Sequence, residues 1–134
     1  TKSECLSADV NAGFDPNYPD VSERRNCAYL NKGVVVTKYT GARGKSGTSD
    51  ASAEFMGRVR RMFDDANVDW QIGELGKVDA GGGGTIAYIL ANYGMEVIDG
   101  GVAVLCMHAP WEVSSKADVY EAYRGYCAFL EKMQ

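Results

Sequence analysis

Residues 33–66 read GVVVTKYTGARGKSGTSDASAEFMGRVRRMFDDA, and this stretch decides the fold class. It opens with the β-branched run Gly33 to Tyr39, whose length and turn-forming neighbours read as a buried strand. A glycine- and serine-rich connection follows, from Tyr39 to Asp50. Phe55, Met56, Val59, Met62, Phe63 and Ala66 then recur at three- and four-residue steps. That period predicts a helix over 50–66, with Ser49 or Asp50 as its cap. Strand, connection and helix make one unit of an α/β layer.

Working outward, ECLSADV at 4–10 reads as a short strand ending at Asp9. The following NAGFDPNYPD is a loop, since Gly13, Pro16, Asn17 and Pro19 all favour turns. Downstream, DWQIGEL at 69–75 reads as a strand. The loop GKVDAGGGG leads to a helix over 85–93 that Gly94 ends. Residues 96–107 form the longest strand, broken by Gly100 and Gly101. A last helix spans 116–132, with Ser115 and Asp118 as a capping box and Val119, Tyr120, Tyr123, Cys127 and Leu130 as its apolar face. The alternation predicts a single α/β domain over 1–134, with a mainly parallel or mixed sheet and helices on its faces. In parallel sheets ligands collect beyond the strands' carboxyl ends, which singles out Asp9, loops 40–49 and 76–84, and His108.

Composition narrows the function classes. The 134 residues carry 18 acidic and 14 basic side chains, a net charge of −4, which argues against a nucleic-acid partner. The longest apolar runs, VVV at 34–36 and VAVLCM at 102–107, fall far short of the ~20 residues a membrane helix needs. No charged-then-apolar leader opens the sequence, so no secretory signal is expected. Cys5, Cys27, Cys106 and Cys127 form no CxxC pair. Two of them sit in apolar patterns as small core residues, and the set predicts a reducing compartment, the cytoplasm.

Several local patterns carry chemistry. Gly41-Ala-Arg-Gly44-Lys45-Ser46 follows a strand like a phosphate loop, but a true one has four residues between its glycines and this has two. Gly82, Gly84 and Ala87 match the glycine spacing of a dinucleotide site, without the chain-initial βαβ unit that should surround it. The run Gly81 to Gly84 marks either a close approach to the backbone or tight helix–sheet packing. His108 is the single histidine and stands at a strand's carboxyl end, where it can serve as base or metal ligand. Cys106 lies two residues away, on the same strand face, but among apolar residues with no visible activator. Asp9 has the matching place on the first strand. A catalytic zinc takes three protein ligands and a water, and this chain has no second histidine to complete such a set.

Four segments together resemble the aspartyl aminopeptidase / aminopeptidase I family of zinc metallopeptidases, closest to its bacterial members. They are SADVNAGFDPNY (7–18), KGVVVTKYTGARGKSGTSDAS (32–52), GELGKVDAGGGGTIA (73–87) and VLCMHAPWEV (104–113). The resemblance covers nearly the whole chain and implies a cytosolic or vacuolar exopeptidase with a two-metal centre, usually zinc. It implies that Asp9 binds one metal and His108 the other. It places Gly82, Gly83 and Met107 on the walls near the substrate, with Lys38 loosely matching a lysine that contacts the substrate side chain. The family's first metal-binding histidine, bridging aspartate, general-base glutamate and neighbouring ligand glutamate precede SAD, and no such motifs occur here.

The expectation is therefore the C-terminal part of a peptidase catalytic domain, acting on peptides in the intact enzyme, inactive alone, and forming a homo-oligomer. Two rival readings are a non-catalytic assembly module, with exposed sheet edges that associate, and a phosphate or nucleotide binder using the glycine loops.

Overall fold

The computed structural model describes residues 2–42, 46–77 and 79–133. Its strands are β1 (Glu4–Ser7), β2 (Asn11–Ala12), β3 (Val34–Thr37), β4 (Tyr39–Ala42), β5 (Ser46–Asp50), β6 (Trp70–Ile72), β7 (Glu96–Gly101), β8 (Ala103–Leu105) and β9 (Val113–Ser114). Its helices are α1 (Ala53–Asp65), α2 (Ala87–Ala91) and α3 (Lys116–Lys132). The central sheet has the order β1-β7-β3-β6. A second sheet, β2-β8-β9, continues from it, and β4 and β5 pair as a hairpin.

The sheet is mixed. β1 and β7 run parallel, β3 and β6 run parallel, and β3 opposes β7 with Val35 across from Gly101 and Thr37 across from Asp99. The carboxyl ends of β1 and β7 thus lie at one end of the sheet and those of β3 and β6 at the other.

Alternation along β3 sorts its valines onto two faces. Val34 and Val36 join Phe55, Val59, Phe63 and Ile98 in the main core under α1 and α3, and Val35 packs with Ala28 and Ala103 on the other face. α1 begins three residues later than the spacing suggests. Ser49 and Asp50 belong to β5, and the Ser52 hydroxyl accepts the Phe55 N–H at 3.2 Å. The connection 40–49 is likewise a hairpin and not a loop. Arg43, Gly44 and Lys45, the centre of the phosphate-loop pattern, lie outside the described residues.

α3 buries a different face from the one its hydrophobicity selects. Asp118, Ala122, Gly125 and Ala128 are buried, whereas Tyr120, Tyr123 and Leu130 are 61%, 64% and 76% exposed. Small side chains let the helix axis come close to β3 and α1, with Gly125 against the Phe63 ring. The bulky residues on the opposite side face outward. The capping box is only half formed. Ser115 accepts the Ala117 and Asp118 N–H groups, but the Asp118 carboxylate turns away to accept the N–H groups of Asn31 and Gly33, each at 2.8 Å. From the same helix Arg124 donates to the Ala66 and Asn67 carbonyls just beyond α1.

Asp118 is 1% exposed and accepts two backbone N–H groups 85 or more residues away in sequence. Replacing it with Ala strands both donors, and we expect a loss of about 3 kcal/mol in urea unfolding. A loss below about 1 kcal/mol would show that water satisfies those donors instead.

Candidate metal and substrate site

Asp9 stands two residues beyond β1 and is half-buried. Its carboxylate accepts the Val10 N–H at 2.9 Å. The chain here passes so close to Gly101 that a Cβ on that residue would sit 1.9 Å from the Asp9 carbonyl oxygen. Only glycine admits this contact, which sets Asp9 beside the joint where β7 becomes β8. A cleft of about 490 Å³ opens beside Asp9, between the end of β1 and the residues Ile86, Ala87 and Leu90.

Asp99 on β7 is tied to Thr85, the residue just before Ile86 and Ala87 of this cleft. It is 4% exposed and opposite Ser7 in the register. Its Oδ2 accepts the Thr85 hydroxyl at 3.0 Å, and its buried Oδ1 has no hydrogen-bond partner among the described residues. Burial pushes the Asp99 carboxyl above its ordinary range. The Ser7 and Thr85 hydroxyls oppose that rise, the former without hydrogen-bond geometry at Oδ1, and the Asp9 charge adds to it. An acidic residue inside the apolar run VIDGG was the available signal.

Thr85 also ends the glycine run. Its hydroxyl accepts the Ala87 N–H at 3.2 Å, so α2 starts two residues later than expected and spans only Ala87–Ala91. The run itself lies against β4. Gly41 N–H donates to the Gly83 carbonyl at 3.0 Å, and a Cβ on Gly82, whose φ is +110°, would meet the Gly41 carbonyl oxygen at 2.3 Å. Close approach of backbone to backbone is thus one physical reason for glycine at Gly82. A second cleft, of about 300 Å³, is lined by Tyr39, Thr40, Gly41, Glu74 and Gly82. Burial raises the Glu74 carboxyl, Asp50 raises it further, and Lys38 lowers it. Lys38 itself is held in an ion pair with Asp50 across the β4–β5 hairpin, and Glu74 was not singled out in the sequence.

His108 is exposed and lies past β8, in the connection from β8 to β9. The strand ends at Leu105, so Cys106 is not on a strand face with His108 and is exposed rather than a core residue. Cys106 and His108 have φ of +57° and +67°. Two non-glycine residues in the left-handed region cost about 1 kcal/mol or more each. The turn is closed by Ala109 N–H to the Cys106 carbonyl at 2.9 Å, and His108 N–H donates to Glu112 Oε1 at 2.6 Å. Met107 is half-buried between them.

β2 and β8 run parallel, Asn11 opposite Ala103 and Ala12 opposite Val104, so Asp9 before β2 and His108 after β8 stand off opposite ends of that strand pair. A carboxylate and an imidazole are donors that zinc accepts. Among the described residues, however, no group of three or more His, Cys, Asp or Glu side chains is gathered to hold a metal. Asp9 and His108 are two donors of the right kind, and the described residues gather no complete centre around them.

The family description "Aminopeptidase I zinc metalloprotease (M18)" matches residues 1–130. The chain belongs to this family. It is 66% identical over 128 residues to a probable M18 family aminopeptidase 1 from Clostridium acetobutylicum, covering 96% of this chain and 28% of that protein. The corresponding protein of Thermotoga maritima is 52% identical over 128 residues, again 96% of this chain and 28% of the relative. Solved structures of aminopeptidase I from C. acetobutylicum and of an M18 aminopeptidase from T. maritima superpose with TM-scores of 0.91 each, over 96% and 95% of this chain and 28% of theirs. The chain thus spans little more than a quarter of the length of the M18 relatives it matches.

The raised Asp99 carboxyl makes a pH prediction. Its pKa in the folded chain lies above the ordinary 3.8, so its contribution to stability is fully present below 3.8 and is lost as pH rises through the folded value. Asp99→Asn should match the wild type in urea unfolding at the acid end and exceed it increasingly through that window. A wild-type advantage that grows with pH would reverse the sign and show the ionised carboxylate to be stabilising.

Proposed function

We propose that this chain is the C-terminal part of the catalytic domain of a two-metal aminopeptidase, inactive by itself. The observation that carries the reading is the 66% identity and 0.91 TM-score, over 96% of the chain, to M18 aminopeptidase I of C. acetobutylicum. In this reading Asp9 holds one zinc ion and His108 the other. When bound, zinc supplies Lewis-acid polarisation of a scissile carbonyl and lowers the pKa of an attacking water. The roles left to this chain are to point a carboxylate and an imidazole at the centre and to wall the substrate cleft. The glycine run beside Tyr39 and Thr40, with Gly82, Gly83 and Met107, forms that wall for the N-terminal residue of a peptide. Lys38 reaches substrate only by leaving Asp50. The described residues gather no group of three metal-binding side chains, which supports inactivity in isolation. Four free cysteines fit a cytoplasmic setting.

A homo-oligomeric state is also proposed, supported by the exposed Tyr120, Tyr123 and Leu130 on α3 and by Ile86 and Tyr93 beside α2. Sedimentation of the chain across a concentration series reads it directly.

The catalytic reading is tested by a chimera in which this chain replaces the matching segment of the C. acetobutylicum relative. With zinc, the chain alone should release no N-terminal residue from peptides and the chimera should. Asp9→Ala and His108→Ala should each lower the chimera's kcat/KM at least about 100-fold. Turnover by the isolated chain, or full activity in either variant, would refute the assignment.

A further inference from the structure

We propose that Glu112 is the positioning residue for His108, an inference that rests on the ligand role proposed above for that histidine. The contact is backbone-directed. The carboxylate takes the His108 N–H at 2.6 Å, and so leaves both imidazole nitrogens available. A metal-ligating histidine is ordinarily oriented through its second ring nitrogen. Here the restraint acts on the main chain of the histidine, before the side-chain torsions.

Three features of the loop require such a restraint. His108 and Cys106 both hold positive φ, a region from which non-glycine residues relax unless something retains them. The turn bond from Ala109 to Cys106 reaches around His108 but leaves its own N–H to Glu112. The pairs Val104–Ser114 and Leu105–Val113 bring the two ends of the loop together, which returns Glu112 to His108 four residues later. With φ held at +67°, the Cα–Cβ bond of His108 has one direction. Without the carboxylate the same residue can return to the common negative-φ region, and its ring then leaves the loop on a different course.

Amide hydrogen exchange in the 15N-labelled chain tests this without any metal. In the wild type, His108 N–H should exchange about tenfold more slowly than in Glu112→Ala. Glu112→Gln keeps an oxygen acceptor in place and should restore most of that protection. The β8–β9 amides should exchange alike in all three proteins. Equal protection of His108 throughout would overturn the proposal. So would a loss in Glu112→Ala that extends over β8 and β9, because Glu112 would then only close the hairpin. In the zinc-loaded chimera, Glu112→Ala should lower kcat about tenfold or more with KM little changed, and Glu112→Gln should recover it. Inactive His108→Ala beside fully active Glu112→Ala would overturn the positioning role alone. Active His108→Ala would overturn the ligand reading, and the positioning role with it.

Discussion

The contact between Gly101 and the Asp9 carbonyl governs how this chain is arranged. It lies where two parallel segments, β1–β2 and β7–β8, pass from one sheet to the other side by side. Any side chain at Gly101 would occupy the space of the Asp9 carbonyl, so the two segments cannot turn together without glycine there. The turn carries Asp9 out of the central sheet beside the cleft and sends the second segment on toward His108. Asp9 stands at this joint, whereas His108 follows seven residues after Gly101, past the end of β8.

Asp99 sits just before that joint and couples it to the glycine run. Its bond to Thr85 links the middle of β7 to the start of α2, and its carboxylate lies close enough to Asp9 for their charges to oppose each other. A buried acid with one unpartnered oxygen is a costly arrangement for a free-standing domain. It belongs to a chain whose relatives are more than three times longer. The exposed aromatic residues of α3 agree with the same picture.

Much of the fold was legible along the chain. The core positions of α1 and the valines of β3 follow from period and β-branching, and the structure buries them as expected. The α3 face was not, because hydrophobicity weighs Tyr120, Tyr123 and Leu130 above Ala122, Gly125 and Ala128, while close helix packing selects the smaller set. Asp9 and His108 stood out through their motifs. Glu74, Asp99 and Glu112 did not, since each acquires its setting from residues or backbone brought up by the fold.

Sequence by itself determined the family, the α/β class, and the main strands and helices, because these rest on motifs, local periodicity and turn chemistry. It did not determine β2 in the expected loop after Asp9, the β4–β5 hairpin, the separation of β7 from β8, or β9. The tertiary structure decided the opposed direction of β3 and β7, the inward face of α3, and the fate of the Asp118 carboxylate. It also decided that Lys38 meets Asp50 and that Glu112 meets the backbone of His108. Strand direction, helix facing and the Asp118 bonds depend on distant segments closing on one another. The Lys38 and Glu112 contacts depend on hairpins whose pairing sets which side chains meet, and residue type alone does not encode that pairing.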